Sequence, residues 1–225
     1  MDQVERFGII GSGIIGAGWA GRALSVGMDV YAFDPEPGAE SRLKKKLDQI
    51  WPVLERTGVF PDASKDRLVF CESVEAVAAQ SDFIQESAPE RIDLKVELHA
   101  QIDAAASPDV VIASSTSGLL PTDFQAQCKH PERVIVGHPF NPVYLLPLVE
   151  VLGGKKTSLE KIDRAVMFYK SIGMYPLKVR SEVPGFLSDR LQEALWREIL
   201  HLVNDDVATP EELDAAIAYG PGLRW

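Results

Sequence analysis

The sequence predicts an α/β protein in which a doubly wound, mainly parallel sheet is followed by an incomplete all-α C-terminal domain. Three observations predict it. Short β-rich runs alternate with helix-period stretches as far as Val179, a glycine-rich turn joins the first strand to the first helix, and the strand pattern stops at Pro184. With 225 residues, 46% of them hydrophobic and 25% charged, the chain can bury roughly 70% of its unfolded surface and needs neither disulfide nor structural metal for a core.

Strands are expected at Arg6–Ile10, Asp29–Phe33, Arg67–Phe70, Phe83–Gln85, Val110–Ser114 and Arg133–Gly137, where β-branched and aromatic residues cluster. Between them, Ile15–Val26, Glu40–Thr57, Arg91–Ala106 and Thr122–Lys129 carry helical spacing. Ser158–Gly173 reads as a helix opened by a serine, and Leu177–Val179 as a short strand. A long amphipathic helix is expected over Pro184–Val203. Thr209-Pro210-Glu211-Glu212 then supplies a cap, a first-turn proline and acids for a last helix, which Gly220-Pro221-Gly222 ends. These C-terminal helices cannot bury their own apolar faces, so they are expected to pack on the sheet domain, on another chain or on further sequence. The division expected is residues 1–183 for the sheet domain and 184–225 for the start of the helical one.

Several function classes fall away. The 23 Lys+Arg against 33 Asp+Glu leave a formal net charge of −10, and such a chain offers nucleic-acid phosphates no basic field. The longest apolar runs, Val110 to Ala113 and Val143 to Val151 broken by Pro147, are far below the roughly 20 residues of a membrane-spanning helix. The acidic start, Met1 to Arg6, is unlike a secretory leader. Cys71 and Cys128 stand in no metal-binding spacing, so no metal is expected and a reducing, cytoplasmic setting is.

The chemistry begins at Gly11-Ser12-Gly13-Ile14-Ile15-Gly16. Gly11 permits the tight turn, Gly13 lets the backbone approach a pyrophosphate, and Gly16 allows the helix to pack against its strand. Asp34 ends the second strand 18 residues after Gly16, near the spacing at which an acid meets the adenosine ribose hydroxyls. A carboxylate there repels a 2′-phosphate, which favours NAD over NADP. The plainer reading is that the glycines make a turn and Asp34 caps a strand.

Of four histidines, His99 and His201 lie in helix patterns as surface or packing residues, and His130 precedes Pro131 in a loop. His138 differs. It ends a buried strand on the side where open α/β sheets bind ligands. A proline-bracketed turn centred on Tyr144 then leads into Leu148-Val149-Glu150-Val151-Leu152, and an antiparallel return would set Glu150 opposite His138. A carboxylate among those valines needs a partner. An imidazole would supply it and be held in one tautomer, as a general base for an alcohol requires, although such pairs are also built for structure alone. Ser114-Ser115-Thr116-Ser117-Gly118 forms a hydroxyl-rich turn after a neighbouring strand, suited to holding a substrate oxygen or to capping a helix at Leu119–Gln127.

These residues resemble the 3-hydroxyacyl-CoA dehydrogenase family over the whole chain: Gly11 to Gly16, Ser115-Thr116-Ser117, His138-Pro139-Phe140-Asn141-Pro142, Leu148-Val149-Glu150-Val151 and Gly185-Phe186-Leu187-Ser188-Asp189-Arg190-Leu191. The resemblance implies an NAD-binding Rossmann domain followed by a substrate and dimerisation domain. It implies His138 as general base, Glu150 as its orienting carboxylate, Ser117 on the reacting oxygen, Asn141 beside the histidine and nicotinamide, and Glu90 and Lys95 along the NAD. The implied reaction is oxidation of a small 3-hydroxy acid, with carnitine foremost and L-gulonate or a short 3-hydroxyacyl-CoA as alternatives. A non-catalytic, crystallin-like role is the alternative of another class. The resemblance also implies a homodimer, and further helices after Trp225. One departure stands out: Asp189 occupies a position where the family usually carries asparagine. An added carboxylate suits a cationic substrate and discourages an anionic acyl-CoA. Phe140, Tyr144, Trp196 and Trp225 could face a trimethylammonium group.

Overall fold

The structure, a computed structural model, describes residues 4–224, so Trp225 lies outside the described residues. The chain divides into two compact units, one running to Pro184 and the other starting at Gly185.

In the first unit, strands β1 (Arg6–Ile10), β2 (Asp29–Phe33), β3 (Leu68–Phe70), β4 (Phe83–Glu86), β5 (Val111–Ser114), β6 (Val134–Pro139), β7 (Leu148–Gly153) and β8 (Tyr175–Lys178) form one sheet of order β3-β2-β1-β4-β5-β6-β7-β8. Every neighbouring pair is parallel except β6 with β7. The order reverses between β1 and β4, the point at which doubly wound sheets open a crevice beyond their carboxyl ends. Helices α1 (Ile14–Ser25), α2 (Ala39–Thr57), α3 (Val74–Gln80), α4 (Ile92–Ala105), α5 (Pro121–Phe124) and α6 (Leu159–Ser171) connect the strands.

The central strands are apolar along their length because helices deny them a solvent face. Phe7, Trp19, Phe83, Phe168 and Tyr169 are all buried around them. The Phe83 and Phe168 rings stack with centroids 4.1 Å apart, and Trp19 lies 5.5 Å from Tyr169. Each such burial contributes on the order of 1.5–3 kcal/mol, so this cluster fixes α1 and α6 against the strands that carry the site.

The expected elements form, with three differences. Helix α3 was not anticipated from the pattern; Ser73 caps it by accepting from the Ala76 N–H at 3.1 Å. The helix expected over Thr122–Lys129 is only Pro121–Phe124, because the Lys129 and His130 N–H groups are taken by the Asp103 carboxylate at 2.6 and 3.1 Å. In the second unit, α7 runs Ser188–Asn204 and does not begin at Pro184, since Gly185 (φ 72°) and Phe186 (φ 45°) adopt left-handed backbone that no right-handed helix can include. Helix α8 (Pro210–Ala218) follows, capped reciprocally by Thr209 and Glu212. No helix among the described residues is long and apolar enough to cross a membrane.

Candidate active site

The strand register sets one row of residues along the carboxyl edge of the sheet. Phe33, Ile10, Glu86, Ser114 and Val136 pair successively across β2, β1, β4, β5 and β6. The next residue on each strand is therefore Asp34, Gly11, Ser87, Ser115 and Gly137, with His138 one step beyond. The chemistry-bearing residues lie along that row.

At its β2 and β1 end is a cavity of about 690 Å³, lined among others by Ile10, Gly11, Gly13, Asp34, Ser87 and Leu98. Gly11 has φ 92°, and a Cβ there would come 2.6 Å from the Ser87 carbonyl oxygen. A Cβ on Gly16 would come 1.9 Å from the Gly11 carbonyl oxygen, whereas one on Gly13 would meet nothing within 4 Å. The bare Gly13 backbone thus faces open space, beside the N-terminus of α1 with its unpaired amides and positive dipole end. This cradle fits a dinucleotide pyrophosphate. Ile14, 66% exposed, stands at the same turn, while Ile15 is partly buried.

Asp34 serves the loop as well as the cavity. Its carboxylate accepts from the Ser12 N–H at 2.7 Å, the Ser12 hydroxyl at 2.9 Å and the Glu36 N–H at 3.0 Å. Partial burial pushes its pKa up, but the Ser12 and Glu36 hydrogen bonds and the nearby Arg42 charge outweigh that, and the net displacement is downward. Asp34 is therefore ionised at neutral pH, ready to accept from sugar hydroxyls and to repel a 2′-phosphate.

At the other end, His138 and Glu150 are cross-strand partners in the β6–β7 register. His138 Nδ1 donates to Glu150 Oε2 at 3.0 Å, and Glu150 is fully buried. A carboxylate can only accept, so this bond fixes the tautomer with its lone pair on Nε2. The Phe140 ring packs on the imidazole with centroids 4.8 Å apart. Asn141 is exposed in the turn that follows. Gly137 has to be small: a Cβ there would lie 1.9 Å from the Tyr169 hydroxyl.

Ser117 is exposed in the loop three residues past the end of β5, the strand that pairs with β6. Its loop is held by Glu90, whose Oε1 accepts from the Thr116 hydroxyl, the Ser117 N–H at 3.1 Å and the Gly118 N–H at 3.2 Å. Lys95, expected to lie along the cofactor, is 1% exposed. Its ammonium donates to both Glu86 oxygens at 2.7 and 3.0 Å and to the Ala88 carbonyl at 3.2 Å. It fastens the segment between β4 and Glu90 from beneath. His99 is a packing residue: its Nδ1 meets the Lys95 carbonyl at 2.8 Å, and burial lowers its pKa, leaving the ring neutral.

Sequence reasoning missed Gln85. This fully buried amide donates to Ser115 Oγ at 2.8 Å and to the Gly137 carbonyl at 3.0 Å, and accepts from the Tyr169 hydroxyl at 2.6 Å. It ties the serine loop to the histidine strand. The available signal was a glutamine beside a glutamate inside an otherwise apolar central strand.

Asp189 belongs to the second unit, in the first turn of α7, and Trp196 further along that helix is exposed.

A family model described as the 3-hydroxyacyl-CoA dehydrogenase NAD binding domain matches residues 6–183, and that of the C-terminal domain matches residues 185–225. The L-carnitine dehydrogenase of Pseudomonas putida is 60% identical over 225 residues, covering 100% of this chain and 70% of that protein. The L-carnitine dehydrogenase of Bacillus cereus is 53% identical over 224 residues, covering 100% and 69%. Among solved structures, a 5-formyl-3-hydroxy-2-methylpyridine 4-carboxylic acid 5-dehydrogenase, described as an NAD+ dependent dismutase, superposes with TM-score 0.92 at 33% identity, over 99% of this chain and 72% of that one. The 3-hydroxybutyryl-CoA dehydrogenase of Escherichia coli superposes with TM-score 0.86 at 30% identity, over 96% and 46%.

Proposed function

The chain belongs to the 3-hydroxyacyl-CoA dehydrogenase family, and on that premise we propose that it oxidises L-carnitine to 3-dehydrocarnitine with His138 as general base. It is an NAD-dependent oxidoreductase acting on a CH–OH group. The single observation that carries the assignment of the base is the His138–Glu150 hydrogen bond at 3.0 Å, on the carboxyl edge that also carries the dinucleotide cleft.

NAD, when bound, supplies the hydride acceptor. Gly11, Gly13 and Gly16 shape the turn that holds its pyrophosphate, with Ile14 and Ile15 opening the helix that faces it, and Asp34 accepts from the adenosine ribose. Ser117 donates to the reacting oxygen and Asn141 borders the histidine. The substrate hydroxyl gives its proton to His138 Nε2 as the C–H bond breaks, and Glu150 stabilises the resulting imidazolium through Nδ1. Phe140 holds the ring from one side. Glu90 lies along the NAD while holding the loop of Ser117, and Lys95 acts through the segment it fastens.

We assign residues 1–183 to cofactor binding and 184–225 to the substrate and dimerisation domain, in which α7 exposes Leu191, Trp196 and Leu200. A homodimer in the cytoplasm is the assembly and setting proposed; Cys71 and Cys128 are free thiols, as a reducing compartment requires. Substrate choice rests on charge. The identity to L-carnitine dehydrogenases extends through the helical region, and Asp189 supplies a carboxylate for a trimethylammonium group while opposing an anionic acyl-CoA.

Initial rates with NAD on L-carnitine, L-gulonate and 3-hydroxybutyryl-CoA test this reading. L-Carnitine should have the highest kcat/KM, and Asp189→Asn should erode its advantage over 3-hydroxybutyryl-CoA by about tenfold, equivalent to ~1.4 kcal/mol. Faster turnover of either rival substrate overturns the carnitine assignment, and an unchanged preference removes Asp189 from substrate recognition.

A further inference from the structure

We propose that Ser87 is a cofactor-binding residue whose hydroxyl is obliged to donate to an acceptor oxygen of the ribose on the nicotinamide side. The inference rests on reading the cleft as the NAD site, and follows from the polarity of the hydrogen bonds around Ser115.

That polarity is fixed from one end. The Gly137 carbonyl can only accept, so the Gln85 atom 3.0 Å from it is the NH2 group. The second N–H of that amide points to Ser115 Oγ at 2.8 Å, and the amide oxygen is left to accept from the Tyr169 hydroxyl. Trp19 Nε1, which can only donate, also reaches Ser115 Oγ at 3.2 Å. Ser115 Oγ thus accepts twice and has both lone pairs engaged. Its proton has one direction left, toward Ser87 Oγ at 2.9 Å.

Ser87 Oγ therefore accepts from Ser115, and its own proton must go elsewhere. Among the described residues Ser115 is the one side-chain partner of that hydroxyl, and Ser87 lines the cavity shared with Gly11, Gly13 and Asp34. The hydroxyl is a donor turned over to the ligand. Each upstream bond polarises the next, so the chain from Trp19 and Gln85 through Ser115 strengthens this donor.

The edge row identifies what it meets. Asp34 marks the adenosine ribose and Gly11 the pyrophosphate, while Ser115 adjoins the serine loop. Ser87 falls between the last two, where a dinucleotide running along the row carries its second ribose. An acceptor is required there, and a ribose hydroxyl oxygen is one.

Binding of ADP-ribose and of ADP, measured by calorimetric titration, separates this role from general damage, since ADP-ribose carries the second ribose and ADP does not. Ser87→Ala should weaken ADP-ribose by about three- to tenfold, the range of one net hydrogen bond, and leave ADP within about twofold. Ser115→Ala frees Ser87 to turn its proton away and should weaken ADP-ribose by a smaller factor, about two- to threefold, again sparing ADP. Equal ADP-ribose affinity in Ser87→Ala and the unsubstituted protein, or parallel weakening of both probes, overturns the assignment of Ser87 while leaving the cleft reading intact. Failure of the unsubstituted protein to bind either probe overturns the cleft reading and the assignment with it.

Discussion

His138→Gln is expected to lower kcat for alcohol oxidation by about 10²- to 10⁴-fold, the usual contribution of a positioned general base, while leaving the Kd for NADH within about twofold. The expectation follows from placement. His138 is 4% exposed, hydrogen-bonded to Glu150 and packed against Phe140, so its ring has one orientation and one tautomer. Glutamine keeps much of the bulk and polarity but cannot take the substrate proton. The cofactor contacts assigned to Asp34, the glycine turn and Ser87 lie on other strands of the edge row and do not involve the His138 side chain, so they should not register the change. Glu150→Gln acts through the histidine and should cost less. Stopped-flow NADH formation with fluorescence titration of NADH separates the two effects. An undiminished kcat excludes His138 as the base, and a lost NADH affinity relocates it to cofactor binding.

Lys95→Met is expected to destabilise the fold by about 3–5 kcal/mol, because it strands the Glu86 carboxylate, which is fully buried, without its countercharge. For a chain of this size that is a fall in Tm of roughly 6–20 °C. The remaining donors to Glu86, the Ala88 N–H at 2.5 Å and the Ser114 hydroxyl at 2.6 Å, are neutral and cannot replace an ammonium. The double variant Glu86→Gln/Lys95→Met should recover much of the loss, since replacing both members of a buried pair is often close to neutral. Thermal unfolding of the three proteins decides it. A Lys95→Met variant as stable as its parent, but with weakened NAD binding, would return Lys95 to the cofactor surface.

The contrast between these two residues shows where sequence was informative. The His138–Glu150 pairing was legible because an antiparallel return has a fixed period, and a turn centred on Tyr144 makes positions 138 and 150 opposite by symmetry. The glycine turn and Asp34 were legible because backbone approach to a phosphate leaves few alternatives to glycine. Lys95 was not legible. Helical spacing places it on a face of α4 but says nothing of whether its ammonium turns up into the cleft or down onto Glu86, and that choice is made by the register of β1, β4 and β5. The same holds for Gln85, whose partners Ser115, Gly137 and Tyr169 come from three distant segments. Helix α5 stops short for a related reason: Asp103, contributed by α4, takes the amides that its continuation would have used.

Hydride transfer itself is the step on which these assignments converge, and isotope transfer reads it directly. With L-carnitine carrying deuterium at carbon 3 and unlabelled NAD, mass spectrometry of the recovered reduced nicotinamide should find one deuterium per carnitine oxidised, and His138→Gln should suppress its appearance along with turnover. Reduced cofactor without deuterium, or carnitine left intact by protein that binds NAD, would contradict the account.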